Sequence, residues 1–90
     1  MKLTLQQIME SLNELEGWEY SDNFITKKFE FKDFTKSIKF VNKVAKLAEK
    51  EQHHPDISID YNIVVIRLST HSENGITNKD INLAKNINSL

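Results

Sequence analysis

Every histidine of the chain lies inside one spaced set of polar residues, Glu49-x3-His53-His54-Pro55-x5-Tyr61-x9-His71-x8-Asp80. Imidazole is the side chain whose ordinary titration falls near neutrality, so gathering all three histidines between positions 53 and 71 points to acid/base work. Glu49 and His53 are four apart on what reads as the last turn of a helix, so they are expected to share a face and hydrogen bond, the carboxylate orienting the ring. Pro55 pushes the residue before it out of the α region, which should end that helix near His54 and can swing His54 toward the same cleft. His71 falls where a long apolar strand run meets a loop, the kind of position where functional side chains usually sit.

Taken singly, each residue has a plainer reading. His53 and His54 suit the negative end of a helix dipole, Asp80 reads as a capping-box acid, Glu49 as a solvated helix carboxylate and Tyr61 as a strand core residue. Only the joint spacing lifts them above that. Two histidines and a carboxylate can also hold a divalent ion, but there is no His-Glu-x-x-His helix, and His53 and His54 are immediate neighbours poorly placed to converge on one ion. No metal is expected. The chain has no cysteine, which removes disulfides, thiolate nucleophiles and zinc-thiolate sites from consideration.

The elements that must position these residues follow from periodicity and caps. Thr4 with Gln7 makes a capping-box pattern, and Leu5, Ile8, Met9, Leu12 and Leu15 then recur with helical period, predicting a first helix over roughly 5–15 that stops before Gly17. Aromatic and β-branched runs at 18–20 and 24–31 flank Ser21-Asp22-Asn23 and predict a hairpin. Asp33 can cap a second helix whose core stripe is expected to be Phe34, Ile38, Val41, Ala45 and Ala48, widened by Phe40, Val44 and Leu47. The run 57–70 alternates in polarity and predicts two strands turning near Asn62. Thr77 with Asp80 opens a last short helix carrying Ile81, Ala84 and Ile87. The order αββαββα, without long parallel crossovers, predicts an α+β fold in which a four-stranded antiparallel sheet is covered on one face by helices.

At 90 residues the chain is read as one domain, 1–90, with no room for a separate cofactor-binding domain, and a domain this small gains from oligomerisation. The opening residues lack the apolar core of a signal peptide and the longest aliphatic run is Ile63-Val64-Val65-Ile66, so a soluble, cytoplasmic protein without a membrane partner is expected. A formal net charge of −1 argues against a nucleic-acid partner, since phosphate neutralisation needs an excess of Lys and Arg. Lys36, Lys39, Lys43, Lys46 and Lys50 nevertheless recur along one helical strip, either the solvated back of an amphipathic helix or a face for an acidic partner.

The pattern resembles the pterin-4a-carbinolamine dehydratase family across nearly the whole chain: Leu15-Glu16-Gly17-Trp18, Phe29-Glu30-Phe31-Lys32-Asp33-Phe34, Glu49 through His53-His54-Pro55, Tyr61-Asn62, Leu68-Ser69-Thr70-His71, and Gly75-Ile76-Thr77 before Asp80. The resemblance implies a small, metal-free lyase that binds no cofactor. Its substrate would be 4a-hydroxytetrahydropterin, dehydrated to quinonoid dihydropterin in tetrahydrobiopterin recycling. It also implies that His53 and His71 form the acid/base pair, that His54 binds or orients the pterin, and that Glu49, Pro55, Tyr61 and Asp80 support the site or bind substrate. Glu49 would polarise His53, and Asp80 would hydrogen bond within the site or hold the His71 loop. A homodimer or homotetramer is expected. The alternative that the family allows is a protein-binding dimerisation cofactor of the transcriptional-coactivator type. Where family members commonly carry a Gly-Gly pair after the last histidine, this chain has Asn74-Gly75, and asparagine tolerates the left-handed backbone such a loop needs.

Overall fold

The Thr4 hydroxyl accepts from the Gln7 amide at 3.1 Å and the Gln7 side chain accepts from the Thr4 amide at 2.9 Å, closing the capping box that opens helix α1, Leu5–Leu12. The helix is shorter than its apolar period. Isolated turns carry the chain on to bury Leu15, and Gly17 then reverses it at φ 85°, where a Cβ would stand 2.7 Å from the Lys27 Cε. In the computed structural model, which describes residues Met1–Leu90, two strands follow, β1 (Glu19–Ser21) and β2 (Phe24–Glu30). Asp22 and Asn23 both take positive φ, 50° and 67°, the two-residue reversal whose twist matches paired strands.

The Asp33 carboxylate accepts from the Lys36 amide at 2.9 Å and opens helix α2, Phe34–Glu51. Strands β3 (Asp56–Asp60) and β4 (Ile63–Leu68) form the second hairpin, a 3₁₀ turn spans His71–Glu73, and helix α3 runs Asn78–Asn88. All strand pairs are antiparallel, in the order β1-β2-β4-β3. This is the expected α+β arrangement of three helices with a four-stranded sheet.

Alternation along β4 shows which face is covered. Val64, Ile66 and Leu68 are fully buried, while Ile63 and Val65 are half-buried and Arg67 is exposed. The buried set joins Ile25, Val44, Trp18 and the α3 residues Ile81, Leu83, Ala84 and Ile87 in one core. Each fully buried aliphatic side chain contributes about 1.5–3 kcal/mol, so this core supplies most of the driving force.

The core stripe of α2 differs from expectation. Ser37, Val44 and Ala48 are buried and Phe40, Val41 and Leu47 pack partly against the core, but Phe34 is 51% exposed and Ala45 lies open to solvent. The apolar arc of the helix is wider than the sheet and α3 can cover, so the helix turns its Val44 side inward and leaves the Phe34–Ala45 side at the rim. The five strip lysines are all exposed. No helix is long and apolar enough to cross a membrane.

Candidate active site

The end of α2 decides where the histidines point. Gln52 takes a left-handed conformation, φ 52° and ψ 43°, so the helix stops at Glu51 rather than near His54. The His53 amide then donates to the Ala48 carbonyl at 3.1 Å and the Gln52 amide to the Glu49 carbonyl at 3.3 Å, the paired closure that satisfies a helix C-terminus. The expected Glu49–His53 hydrogen bond requires helix through residue 53 and does not form. Glu49 instead meets His54, its Oε2 lying 2.5 Å from the His54 Nε2, with both side chains largely exposed.

His53 is turned inward to Asp80, 27 residues away in sequence. Its Nε2 lies 2.5 Å from the Asp80 Oδ1, and the two side chains are 11% and 0% exposed. The second carboxylate oxygen, Oδ2, accepts from the Thr70 hydroxyl at 2.8 Å and from the Thr77 amide at 2.9 Å. Asp80 is therefore both the reciprocal acid of the α3 capping box and the partner of an imidazole.

The hydrogens around Asp80 can be traced. Thr70 has one hydroxyl hydrogen and donates it to Asp80, so across the 2.8 Å contact between the two hydroxyls it is Thr77 that donates to Thr70. Thr77 in turn accepts from the Lys79 amide at 3.2 Å. Every donor in this chain is directed toward the carboxylate, which leaves no buried polar side-chain atom unpaired. A carboxylate in its ionised form only accepts, and against such an acceptor the His53 Nε2 is the donor and Nδ1 is the nitrogen left without a partner in the chain.

Thr70 also links the buried pair to His71, its neighbour and the first residue of the 3₁₀ turn. The turn is closed by the Thr70–Gly75 bridge and by Asn74, left-handed at φ 54°. Asn74 thus does the conformational work open to a glycine at that position. The His71 ring is exposed and packs edge-on against Phe24, with centroids 6.3 Å apart. Pro55 is half-buried and leads directly into β3.

Tyr61 is not brought to the histidines within this chain. It occupies the β3–β4 turn with φ 52°, is 61% exposed, and stands at the opposite end of the hairpin from Pro55. Five residue steps separate it from Asp56, about 17 Å at the usual rise. The two strands form as expected, but Tyr61 is a turn residue and not a strand core residue, and the length of β3 carries it away from the site. Conversely, Thr70 and Thr77 join the site without a spacing in the sequence that marks them as site residues. Thr77 was legible only as a cap, and Thr70 only as the neighbour of His71.

No three His, Asp or Glu side chains converge in a geometry for an ion. A cavity of about 360 Å³ reaches Thr70 and Thr77 beside Lys2 and Lys79, and no histidine lines it. Fold and site together define a small α+β protein that carries a largely buried, carboxylate-held imidazole and two exposed ones at one end of its sheet. The family model described as Pterin 4 alpha carbinolamine dehydratase matches residues 1–90. A protein of Sulfolobus acidocaldarius provisionally named pterin-4-alpha-carbinolamine dehydratase is 49% identical over 90 residues, covering 100% of this chain and 99% of its own. One from Aquifex aeolicus, named in the same way, is 42% identical over 89 residues, 99% of this chain and 90% of its own. The crystal structure of a transcriptional coactivator/pterin dehydratase from Brucella melitensis superposes with a TM-score of 0.95 at 42% identity, over 99% of this chain and 97% of that one. A pterin dehydratase-like RuBisCO assembly factor of the alpha-carboxysome, at 19% identity and a TM-score of 0.66 over 80% of this chain and 83% of its own, shares the fold. The chain belongs to the pterin-4a-carbinolamine dehydratase family.

Proposed function

We propose that the chain is a cytoplasmic, metal-independent lyase that eliminates water from 4a-hydroxytetrahydropterin to give quinonoid dihydropterin, in recycling of tetrahydrobiopterin. The observation that carries this reading is the His53–Asp80 pair, an imidazole held by a fully buried carboxylate with its other nitrogen left free. In the reaction the C4a–O bond breaks and the leaving oxygen takes a proton to depart as water. The lone pair of an adjacent ring nitrogen forms the new C=N bond, and that nitrogen releases its proton. One proton is delivered and one removed, so two imidazoles, His53 and His71, suffice; the total proton count of the pair is unchanged, and exchange with solvent returns each ring to its starting state. His54, held to Glu49 on the surface, would contact the pterin. Such acid/base assistance is worth about 10²- to 10⁴-fold.

Decay of 4a-hydroxytetrahydropterin, followed by stopped-flow absorbance in the presence of EDTA, tests the reading. Acceleration that disappears in the His53→Ala, His71→Ala double variant is the expected result; no acceleration by folded protein rejects it.

The rim of α2 favours self-association: Phe34 is 51% exposed, and Ile38 and Ala45 continue the same apolar side. We propose a homodimer or homotetramer, to be read by light scattering, with Phe34→Glu shifting the mass toward monomer. The kindred reading, a protein-binding module, would use the exposed lysine strip, part of which lines a cavity of about 250 Å³ with Phe31, Phe40 and Leu90. Charge reversal at Lys39, Lys43 and Lys46 separates the two. A solvated strip leaves assembly and turnover intact, whereas loss of a co-purifying partner supports the module.

A further inference from the structure

His53 and His54 are each held by a carboxylate, but the His71 ring has no hydrogen-bonding partner in the chain. Its backbone turn is not capped by a side chain, because the Thr70 hydroxyl is committed to Asp80. The ring packs edge-on against Phe24, at 6.3 Å between centroids and 70° between planes. Phe24 is in turn covered by the Arg67 guanidinium, 3.9 Å above the ring centroid.

The register explains how these residues meet. Arg67 on β4 stands opposite Thr26 on β2, so Phe24 is its diagonal neighbour two positions away on the same, open face of the sheet. On its other side Arg67 stands opposite Asp56, the residue that follows His54-Pro55, and its Nη1 lies 3.9 Å from the Asp56 Oδ2. Asp56, Arg67 and Phe24 thus form a row across three strands that begins at the His53-His54 corner and ends against His71.

We propose that Phe24 and Arg67 are positioning residues for His71, the row serving as a strap that holds the His71 ring in one rotamer relative to the His53-His54 corner. This deepens the dehydratase reading and rests on it for its catalytic consequence. Neither residue touches the reacting atoms. Their effect falls on the proton-transfer step and not on ligand affinity, because a ring that samples several rotamers spends less time within reach of the substrate.

The test combines kinetics with the three-bond couplings across the His71 Cα–Cβ bond, which report whether the ring keeps one rotamer whether or not the protein turns over. Phe24→Ala should average those couplings over the three staggered rotamers and lower kcat about threefold with KM held within about twofold. Phe24→Tyr, which keeps the ring, should restore both. Arg67→Gln leaves Phe24 in place and should lower kcat by about twofold or less with partial averaging, consistent with one exposed cation–π contact. Unchanged couplings in both Phe24→Ala and Arg67→Gln overturn the strap, as does an unchanged kcat in a variant whose couplings average. If the wild type lacks dehydratase activity, the functional reading fails while the couplings still decide whether the strap positions His71.

Discussion

Two imidazole–carboxylate pairs stand side by side at the end of α2 with the same 2.5 Å separation, yet they differ in everything that surrounds them. His53 and Asp80 are 11% and 0% exposed, whereas His54 and Glu49 are 59% and 72% exposed. Around Asp80 two further donors complete the carboxylate, and water is excluded. Around Glu49 water competes for each contact and both side chains lose rotamer freedom to make the pair. Exposed ion pairs contribute about 0–1 kcal/mol, while removing one partner of a buried pair typically costs about 3–5 kcal/mol. Contact distance alone therefore ranks neither pair, and burial assigns the anchoring role to Asp80.

Asp80→Ala should break the comparison most severely. It strips the α3 cap and leaves His53, the Thr70 hydroxyl and the Thr77 amide without their acceptor, so a loss of about 3–5 kcal/mol is expected by urea denaturation, together with loss of turnover. Asp80→Asn separates geometry from charge. The amide can still accept on one side but presents donors to His53, forcing the other tautomer, and kcat should fall about 10²-fold or more while stability falls by only about 1–3 kcal/mol.

His53→Ala should lower kcat by about 10²- to 10⁴-fold with KM little changed. His71→Ala should lower kcat by a similar order but leave the urea midpoint within about 0.5 kcal/mol of wild type, because its ring is exposed and makes no hydrogen bond. The smallest effect belongs to Glu49→Gln: less than about 0.5 kcal/mol in stability, and less than a few-fold in kcat. A large loss of stability on Glu49→Gln, or none on Asp80→Ala, would reverse the ranking of the two pairs.

Much of the architecture was legible because it rests on local rules. Thr4-Gln7 and Thr77-Asp80 close as capping boxes, Asp22-Asn23 turns as a tight hairpin, and the polarity alternation of 57–70 becomes two strands with the reversal at Tyr61-Asn62. Structure and expectation part where a local rule has several outcomes. Pro55 signalled an end to α2, but the left-handed Gln52 three residues earlier was not marked by a glycine, and those residues decide which histidine Glu49 can reach. The α2 stripe had an apolar arc wider than one packing face, so its sequence could not say which side would turn inward.

The sequence by itself determined the chemical inventory: three imidazoles, the Glu49 and Asp80 carboxylates that flank them in chain order, caps that start each α-helix, and a family pattern running from Leu15 to Asp80. Only the tertiary structure decided the pairing. His53 and Asp80 meet because α2 and α3 converge over the same sheet, and Phe24 reaches His71 because β2 and β4 are aligned in one register. Spacing along a helix or strand reports neighbours a few residues apart, whereas contacts across 27 or 47 residues depend on how buried apolar faces settle against one another.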